Sequence, residues 1–129
     1  MESRYLIDTN AVIEFLGGKL PKSGSKFLQK IIDENLHHLS VINQIELLGF
    51  NGTPDEMQTL ADFIDFTNIL PLSDLVAQKT IDLRKFYKIK LPDAIIAATA
   101  LTYNFIIITR NISDFDKIKG LVCVNLHDK

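Results

Sequence analysis

The sequence lacks the features that stabilise a chain outside the cell or anchor it in a membrane. Cys123 is the only cysteine among 129 residues, so no intrachain disulfide can form. Asp8 interrupts the N-terminal apolar residues before they reach signal-peptide length, and no later stretch approaches the roughly 20 apolar residues of a membrane span. We therefore expect a cytoplasmic protein with no membrane segment.

Signatures of covalent catalysis and of zinc binding are also missing. The chain has no Gly-x-Ser-x-Gly nucleophile motif and no glycine-rich phosphate loop. Its histidines are His37, His38 and His127, and none has the spacing to another His or Cys that zinc sites use. These absences count against a serine hydrolase, a P-loop nucleotide-binding protein and a zinc enzyme.

Positive charge is not in excess either. The 14 basic and 16 acidic residues give a formal net charge of -2, whereas many nucleic-acid-binding proteins are basic. The balance argues against a broad phosphate-binding surface. It does not exclude a nuclease whose own carboxylates raise the acidic count and whose bound cations supply positive charge locally.

The length and the 47% hydrophobic content are sufficient for one domain with its own core, which we expect to span residues 1–129. β-prone and helix-prone segments alternate, and this pattern predicts a three-layer α/β fold with a mainly parallel central sheet flanked by helices. The predicted strands are residues 4–7, 38–42, 67–70 and 105–108. The predicted helices are residues 11–16, 25–35, 45–48, 54–64, 74–87 and 92–98.

Four acidic residues follow strands or begin helices in this arrangement. Asp8 comes directly after the first strand, and Asp114 comes shortly after the strand over 105–108. Glu46 lies about one turn into the helix after the second strand, and Asp93 lies in the first turn of a later helix. Because functional groups of parallel sheets collect beyond the carboxyl ends of the strands, these acids can converge on one pocket.

Converging carboxylates repel one another unless a cation lies between them. Mg²⁺ and Mn²⁺ prefer oxygen ligands, so an acidic site poor in His and Cys fits either ion better than Zn²⁺. Such a site suits phosphodiester hydrolysis. Each acid also has a structural interpretation, because Asp8 can cap a helix, Asp93 can favour a helix dipole, Glu46 can be solvated and Asp114 can belong to a turn.

Several polar neighbours of these acids are candidate supporting residues. Thr9, Asn10 and Asn111 carry side chains that can orient a carboxylate or a metal-bound water, or that can serve only in caps and turns. Thr109 begins the turn that leads to Asp114. Arg110 in the same turn can reach a phosphate.

Four segments carry a resemblance to a known family. They are Leu6–Asn10, Ser40 with Ile45–Leu47, Leu91–Ala100 and Thr109–Phe115. Together they resemble the PIN-domain family, and specifically its VapC-like toxins of toxin–antitoxin systems. The resemblance covers nearly the whole chain, and its most specific parts are the Pro-Asp-Ala block and the Thr-Arg-Asn-x-x-Asp-Phe block.

The resemblance implies an Mg²⁺- or Mn²⁺-dependent endoribonuclease with a Rossmann-like sheet. It implies that Asp8 and Asp93 bind the metal most directly, with Glu46 and Asp114 completing the acidic set. Many relatives have an acid where Asn111 stands, so either Asn111 or Asp114 fills the fourth position. The resemblance further implies an RNA substrate, a cognate antitoxin and a homodimer.

Other functions remain open from the sequence. A housekeeping nuclease, or a degenerate PIN-like domain that binds RNA without cutting it, would carry similar motifs. A receiver-type signalling module needs an acceptor Asp after a central strand and a Lys after a late one, but the chain has Asn43-Gln44 and Thr109-Arg110 there. An aspartyl phosphatase needs a second acid two residues after Asp8, where Asn10 stands.

Overall fold

The computed structural model describes residues 2–129, and within this range the chain forms five β-strands, seven α-helices and a short 3₁₀ helix. The strands are β1 (Tyr5–Ile7), β2 (His37–Ser40), β3 (Asn68–Leu70), β4 (Ile106–Ile108) and β5 (Cys123–Val124). The α-helices are α1 (Thr9–Leu16), α2 (Lys22–Asp33), α3 (Val41–Leu48), α4 (Pro54–Asp65), α5 (Asp74–Phe86), α6 (Leu91–Tyr103) and α7 (Ile112–Phe115). The 3₁₀ helix is Leu126–Asp128.

The five strands form one sheet in the order β3-β2-β1-β4-β5, and every pairing between neighbours is parallel. Ile7 at the end of β1 lies opposite Ile108 at the end of β4. The chain builds outward from β1 to β3 on one side and then returns to add β4 and β5 on the other. The strand order therefore reverses between β1 and β4, which is where parallel α/β folds place their ligand sites.

Both faces of the sheet are buried. Ile7 and Ile108 belong to a core cluster with residues of α1, α2 and α4, whereas Leu6 and Ile107 belong to a second cluster with residues of α5 and α6. Neighbouring residues of a strand point to opposite faces, so β1 and β4 each supply both clusters. The predicted three-layer α/β fold with a Rossmann-like parallel sheet is confirmed.

The predicted boundary of the second strand was wrong. Residues 41 and 42 were assigned to the strand, but the strand ends at Ser40 and Val41 begins α3. The Ser40 hydroxyl accepts a hydrogen bond from the Ile42 N–H, and the Asn43 side chain accepts one from the Ser40 N–H at 2.9 Å. This capping box starts the helix although Val and Ile are β-prone.

Other predicted boundaries differed as well, and α3 begins at Val41, four residues before its predicted start. The predicted start of α4 is confirmed, because the Thr53 and Glu56 side chains each accept a hydrogen bond from the other's backbone N–H. Helix α2 begins at Lys22, three residues before its predicted start. The sequence interpretation missed the short elements β5 and α7. Among residues 2–129, no helix has both the length and the apolar character needed to cross a bilayer.

Candidate active site

Asp8 is fixed at the carboxyl end of β1. Its N–H donates to the Ile108 carbonyl at 2.9 Å, which continues the pairing of β1 with β4. The residue is only 8% exposed. One carboxylate oxygen accepts a hydrogen bond from the Thr9 N–H at 2.9 Å, and the other accepts one from the Thr109 hydroxyl at 2.9 Å. Asp8 therefore caps α1 and also presents an oriented carboxylate at the point where the strand order reverses.

Glu46 is connected to the same place through Thr9. The Thr9 hydroxyl donates to Glu46 Oε1 at 2.7 Å and accepts a hydrogen bond from Asn43 Nδ2 at 3.0 Å. Asn43 is fully buried, and its side-chain oxygen is the acceptor in the Ser40 capping box. The sequence interpretation missed Asn43, although its position three residues after Ser40 is the spacing of a capping box.

Asp93 and Asp114 are carried by the helices α6 and α7. Asp93 lies half-buried in the first turn of α6, and Asp114 lies exposed in α7, shortly after β4. Both line one cleft of about 420 Å³. The N–H of Asp114 donates to the Asn111 carbonyl at 3.1 Å, so these two residues share one turn.

The charges of the four carboxylates act on one another. Burial raises the pKa of Asp8, and the charges of Glu46 and Asp114 raise this pKa further, while hydrogen bonds from Thr109 and Thr9 lower it in part. Burial also raises the pKa of Asp93, followed by the charges of Asp8, Asp114 and Glu46, against which Lys90 acts weakly. The pKa of Asp93 is thus raised by all three other acids, and the pKa of Asp8 is raised by two of them.

The four carboxylates are the ligand type that a hard divalent cation prefers, but their side chains are too far apart in this structure to bind one ion together. All four groups are carboxylates. Within residues 2–129 the ion pairs are those of Glu14 with Arg110 and with His127, so none of the four carboxylates has a Lys, Arg or His nitrogen within ion-pair distance. No three acidic, His or Cys side chains in the described range are close enough to hold a metal ion as they stand. The Glu46 side chain is exposed, and its hydrogen bond from the Thr9 hydroxyl occupies only Oε1.

The supporting residues divide into two groups. Thr109 is 1% exposed, and its hydroxyl both donates to Asp8 and accepts from the Asn111 N–H at 3.0 Å. Arg110 instead pairs with Glu14, with 3.4 Å between Nη1 and Oε2. The predicted reach of Arg110 towards a phosphate stays a prediction.

Asn10 and Asn111 are both exposed, so neither is locked in the core. The Asn111 side chain makes no capping hydrogen bond to α7. Either amide can therefore turn towards a ligand or remain in solvent, and the predicted supporting roles of these residues stay predictions.

Comparisons with known proteins agree with this geometry. The family model described as the PIN domain matches residues 5–121, a range that includes all four acids. A chain of a toxin–antitoxin complex from Klebsiella pneumoniae is 32% identical and superimposes with a TM-score of 0.72 over 92% of this chain and 95% of that one. No protein with a curated description matches.

Two further structures share the fold at lower identity. A chain of VapBC2 from Rickettsia felis, bound to a promoter DNA fragment, is 23% identical with a TM-score of 0.78 over 94% of this chain and 97% of that one. A chain of FitAcB from Neisseria gonorrhoeae is 24% identical with a TM-score of 0.75 over 95% and 97%. With the family model matching most of its length, the chain belongs to the PIN-domain family.

Proposed function

We propose that the chain is a divalent-cation-dependent endoribonuclease. The observation that carries the proposal is two pairs of carboxylates whose charges act on one another: Asp8 and Glu46 both accept hydrogen bonds from Thr9, and Asp93 and Asp114 line one cleft. Within residues 2–129 none of these carboxylates is ion-paired with a basic side chain. Membership of the PIN-domain family supports the same conclusion. Carboxylates that crowd together are costly for the fold, and bound Mg²⁺ or Mn²⁺ would offset this cost.

Asp8 and Asp93 would hold the cation most directly. Hydrogen bonds from Thr9 and Thr109 to both oxygens of Asp8 favour its ionised form and fix its direction. Asp93 is limited in backbone freedom because it lies in the first turn of a helix. When bound, a divalent cation at such a site activates a water molecule and neutralises charge on the scissile phosphate.

Glu46 and Asp114 would complete the acidic set. The Thr9 hydroxyl positions Glu46, and Asn43 positions Thr9 in turn. Asp114, rather than Asn111, would fill the fourth position, because the charge of Asp114 acts on both Asp8 and Asp93. Asn111 would support it from the same turn.

A ranking of variants tests these assignments. We expect Asp8→Asn and Asp93→Asn to abolish RNA cleavage, Glu46→Gln to be severely impaired, and Asp114→Asn to keep more activity, especially in excess Mn²⁺. The measurement is the cleavage rate of each purified variant across a titration of Mg²⁺ and of Mn²⁺. Near wild-type cleavage by Asp93→Asn at low Mg²⁺, with Asp114→Asn inactive, would contradict the assignment of direct ligands.

Asp116→Asn is the matched control. Asp116 is an exposed acid two residues after Asp114, and it does not contribute to the raised pKa of Asp8 or of Asp93. The variant removes the same charge from the same short helix end. We expect it to cleave RNA at the wild-type rate.

We further propose that the protein is the toxin of a toxin–antitoxin pair and that it forms a homodimer. The support is its similarity to a chain of a toxin–antitoxin complex at 32% identity. An open groove of about 250 Å³, lined by apolar residues such as Ile13, Leu16 and Phe50 and by the charged residues Lys19 and Glu56, offers a surface for a protein partner. Expression without the partner should arrest growth, and Asp8→Ala at matched soluble expression should relieve the arrest.

A further inference from the structure

Glu14 carries both ion pairs that occur within residues 2–129. Its Oε2 atom lies 2.9 Å from Nε2 of His127 and 3.4 Å from Nη1 of Arg110. A carboxylate only accepts hydrogen bonds, so the His127 ring carries a proton on Nε2 and donates it to Glu14. The Glu14 side chain is 18% exposed, so water screens these contacts only in part. We call the three side chains the Glu14 network.

The Glu14 network connects three separate parts of the fold. Glu14 lies in α1, the helix that Asp8 caps. Arg110 lies in the turn between β4 and α7, and His127 lies in the 3₁₀ helix after β5. The three residues line one narrow cleft together with Thr109, whose hydroxyl donates to Asp8. The network therefore lies directly beside the contact that orients the Asp8 carboxylate.

His127 is held in place by its own surroundings. Its N–H donates to the Asn125 side chain at 3.0 Å. The neighbouring residue, Leu126, is 2% exposed, and its carbonyl oxygen lies so close to Gly24 of α2 that no Cβ fits between them. The 3₁₀ helix is thus packed firmly on α2, and His127 presents a fixed donor to Glu14.

The turn that contains Arg110 leads to one of the acids. Arg110 and Asn111 are both exposed. The Thr109 hydroxyl accepts from the Asn111 N–H, and the Asn111 carbonyl accepts from the Asp114 N–H at 3.1 Å. These two hydrogen bonds lie within the turn and its helix, whereas the contact of Arg110 with Glu14 joins the turn to α1. Helix α1 and the turn are therefore joined at two points, at the N-cap of the helix and near its end.

Stability alone gives little reason for this arrangement. Arg110 is 61% exposed, and an exposed ion pair contributes little to the stability of a fold. The chain has 14 basic and 16 acidic residues, yet within residues 2–129 its ion pairs meet on a single oxygen atom beside the Asp8 contact. Groups that hold metal ligands in their orientation strongly affect metal affinity. A role in positioning the acids accounts for the location of the pairs.

We propose that Glu14 is a positioning residue for the metal site. Through Arg110 it holds the turn before Asp114 against α1, so that Asp8 and Asp114 approach one cation from fixed backbones. His127 fixes the Glu14 carboxylate in turn. This inference rests on the proposed function, because the cation and its ligands are those proposed above. The carboxylates must draw together to bind an ion, and a backbone that is already ordered lowers the entropy lost in that step.

Binding of Mn²⁺ to the purified protein without RNA, measured by isothermal titration calorimetry, tests the proposal. Arg110→Gln should raise the Kd for Mn²⁺ about tenfold, the lower end for groups that orient metal ligands. The direction decides the matter, because loss of a positive charge near carboxylates would by itself tighten cation binding. Arg84→Gln is the matched control, since Arg84 is exposed and lines the cleft of Asp93 and Asp114 without contacting Glu14. Its Kd should equal the wild-type value or fall below it.

His127 provides a second pair of variants with no change of acidic charge. His127→Leu should raise the Kd for Mn²⁺ about tenfold. His127→Gln should restore the wild-type Kd, because a side-chain amide nitrogen can donate to Glu14 as Nε2 does. Tm without metal should stay close to wild type in His127→Gln and in Arg110→Gln. Equal Kd values for Arg110→Gln and Arg84→Gln, or a lowered Tm in His127→Leu with an unchanged Kd, would overturn the positioning role.

Amide hydrogen exchange in EDTA tests the same role without any metal. The N–H groups of Asn111 and Asp114 should exchange about two- to fivefold faster in Arg110→Gln than in the wild type, the range that an exposed ion pair supplies. Arg84→Gln should leave both rates unchanged. Exchange in Arg110→Gln at the wild-type rate would contradict the proposed hold on the turn.

Failure of this inference is distinguishable from failure of the proposed function. A wild-type protein that binds no Mn²⁺ would contradict the proposed function itself. A wild-type protein that binds Mn²⁺ and cuts RNA, with the same Kd for Mn²⁺ in Arg110→Gln and in His127→Leu, would support the proposed function and overturn only the role of Glu14.

Discussion

Replacement of Asp8 by Asn separates the stability of the fold from its proposed metal chemistry. The change is nearly isosteric and removes a negative charge from a side chain that is 8% exposed. Burial and the charges of Glu46 and Asp114 raise the pKa of Asp8, so its ionised form is unfavourable in the metal-free protein. We expect Asp8→Asn to lose RNA cleavage while its metal-free stability stays level or rises.

The direction and the size of the expected stability change follow from the difference in proton binding between the folded and the unfolded protein. A folded-state pKa above the unfolded value of 3.8 means that the native protein holds this proton more tightly, so stability falls as the pH rises through the window above 3.8. Each unit by which the pKa is raised costs about 1.4 kcal/mol once Asp8 is fully ionised. Asn removes this cost but reverses the hydrogen bond with Thr109, which offsets about 1 kcal/mol.

Thermal unfolding with and without metal measures both effects. For a domain of this size, a change of 1 kcal/mol shifts Tm by roughly 4 °C. Metal at 100 times its Kd should raise the free energy of unfolding of the wild type by about 2.7 kcal/mol, and it should leave Tm of Asp8→Asn nearly unchanged. A metal-free loss of more than about 2 kcal/mol, or the same metal-induced rise in the variant, would refute the reasoning.

Three further predictions concern positioning and stability. Asn43→Ala should cost about 1–3 kcal/mol in denaturant unfolding, because it breaks buried hydrogen bonds, and should slow cleavage by releasing the Thr9 contact that holds Glu46. Burial lowers the pKa of His38, so stability should fall as the pH drops below about 6.5, and His38→Leu should flatten this part of a urea-midpoint profile. Gly24→Ala should lower stability by about 1–3 kcal/mol, because a Cβ there would collide with the Leu126 carbonyl oxygen; an unchanged denaturation midpoint would contradict this packing.

Several features of the fold could be predicted from short stretches of the sequence. The uninterrupted apolar residues of β4 correctly indicated a strand buried on both faces, and the Thr53 and Glu56 box correctly indicated the start of α4. The position of Asp8 after β1 correctly predicted its place at the reversal of strand order. These features depend on a few neighbouring residues, so a single sequence contains them.

Features that depend on tertiary contacts could not be predicted from the sequence. Strand β2 ends at Ser40, two residues before its predicted end, because the helix cap formed by Ser40 and Asn43 outweighs the β propensity of Val41. The hydrogen bonds from Asn43 to Thr9 and from Thr9 to Glu46 join residues 34 and 37 positions apart, and no local pattern in the sequence encodes them. The pairing of Arg110 with Glu14 spans 96 positions for the same reason.

The central claim is that the four carboxylates form a metal-dependent nuclease site, and RNA cleavage by the purified, partner-free protein tests it most directly. The assay compares single-stranded or loop RNA incubated with the protein as purified, after complete chelation by EDTA, and after return of Mg²⁺ or Mn²⁺, with Asp93→Asn in parallel. We expect cleavage that stops on chelation, returns with either cation and is absent in the variant. Cleavage that survives complete chelation, or that Asp93→Asn performs equally well, would contradict it.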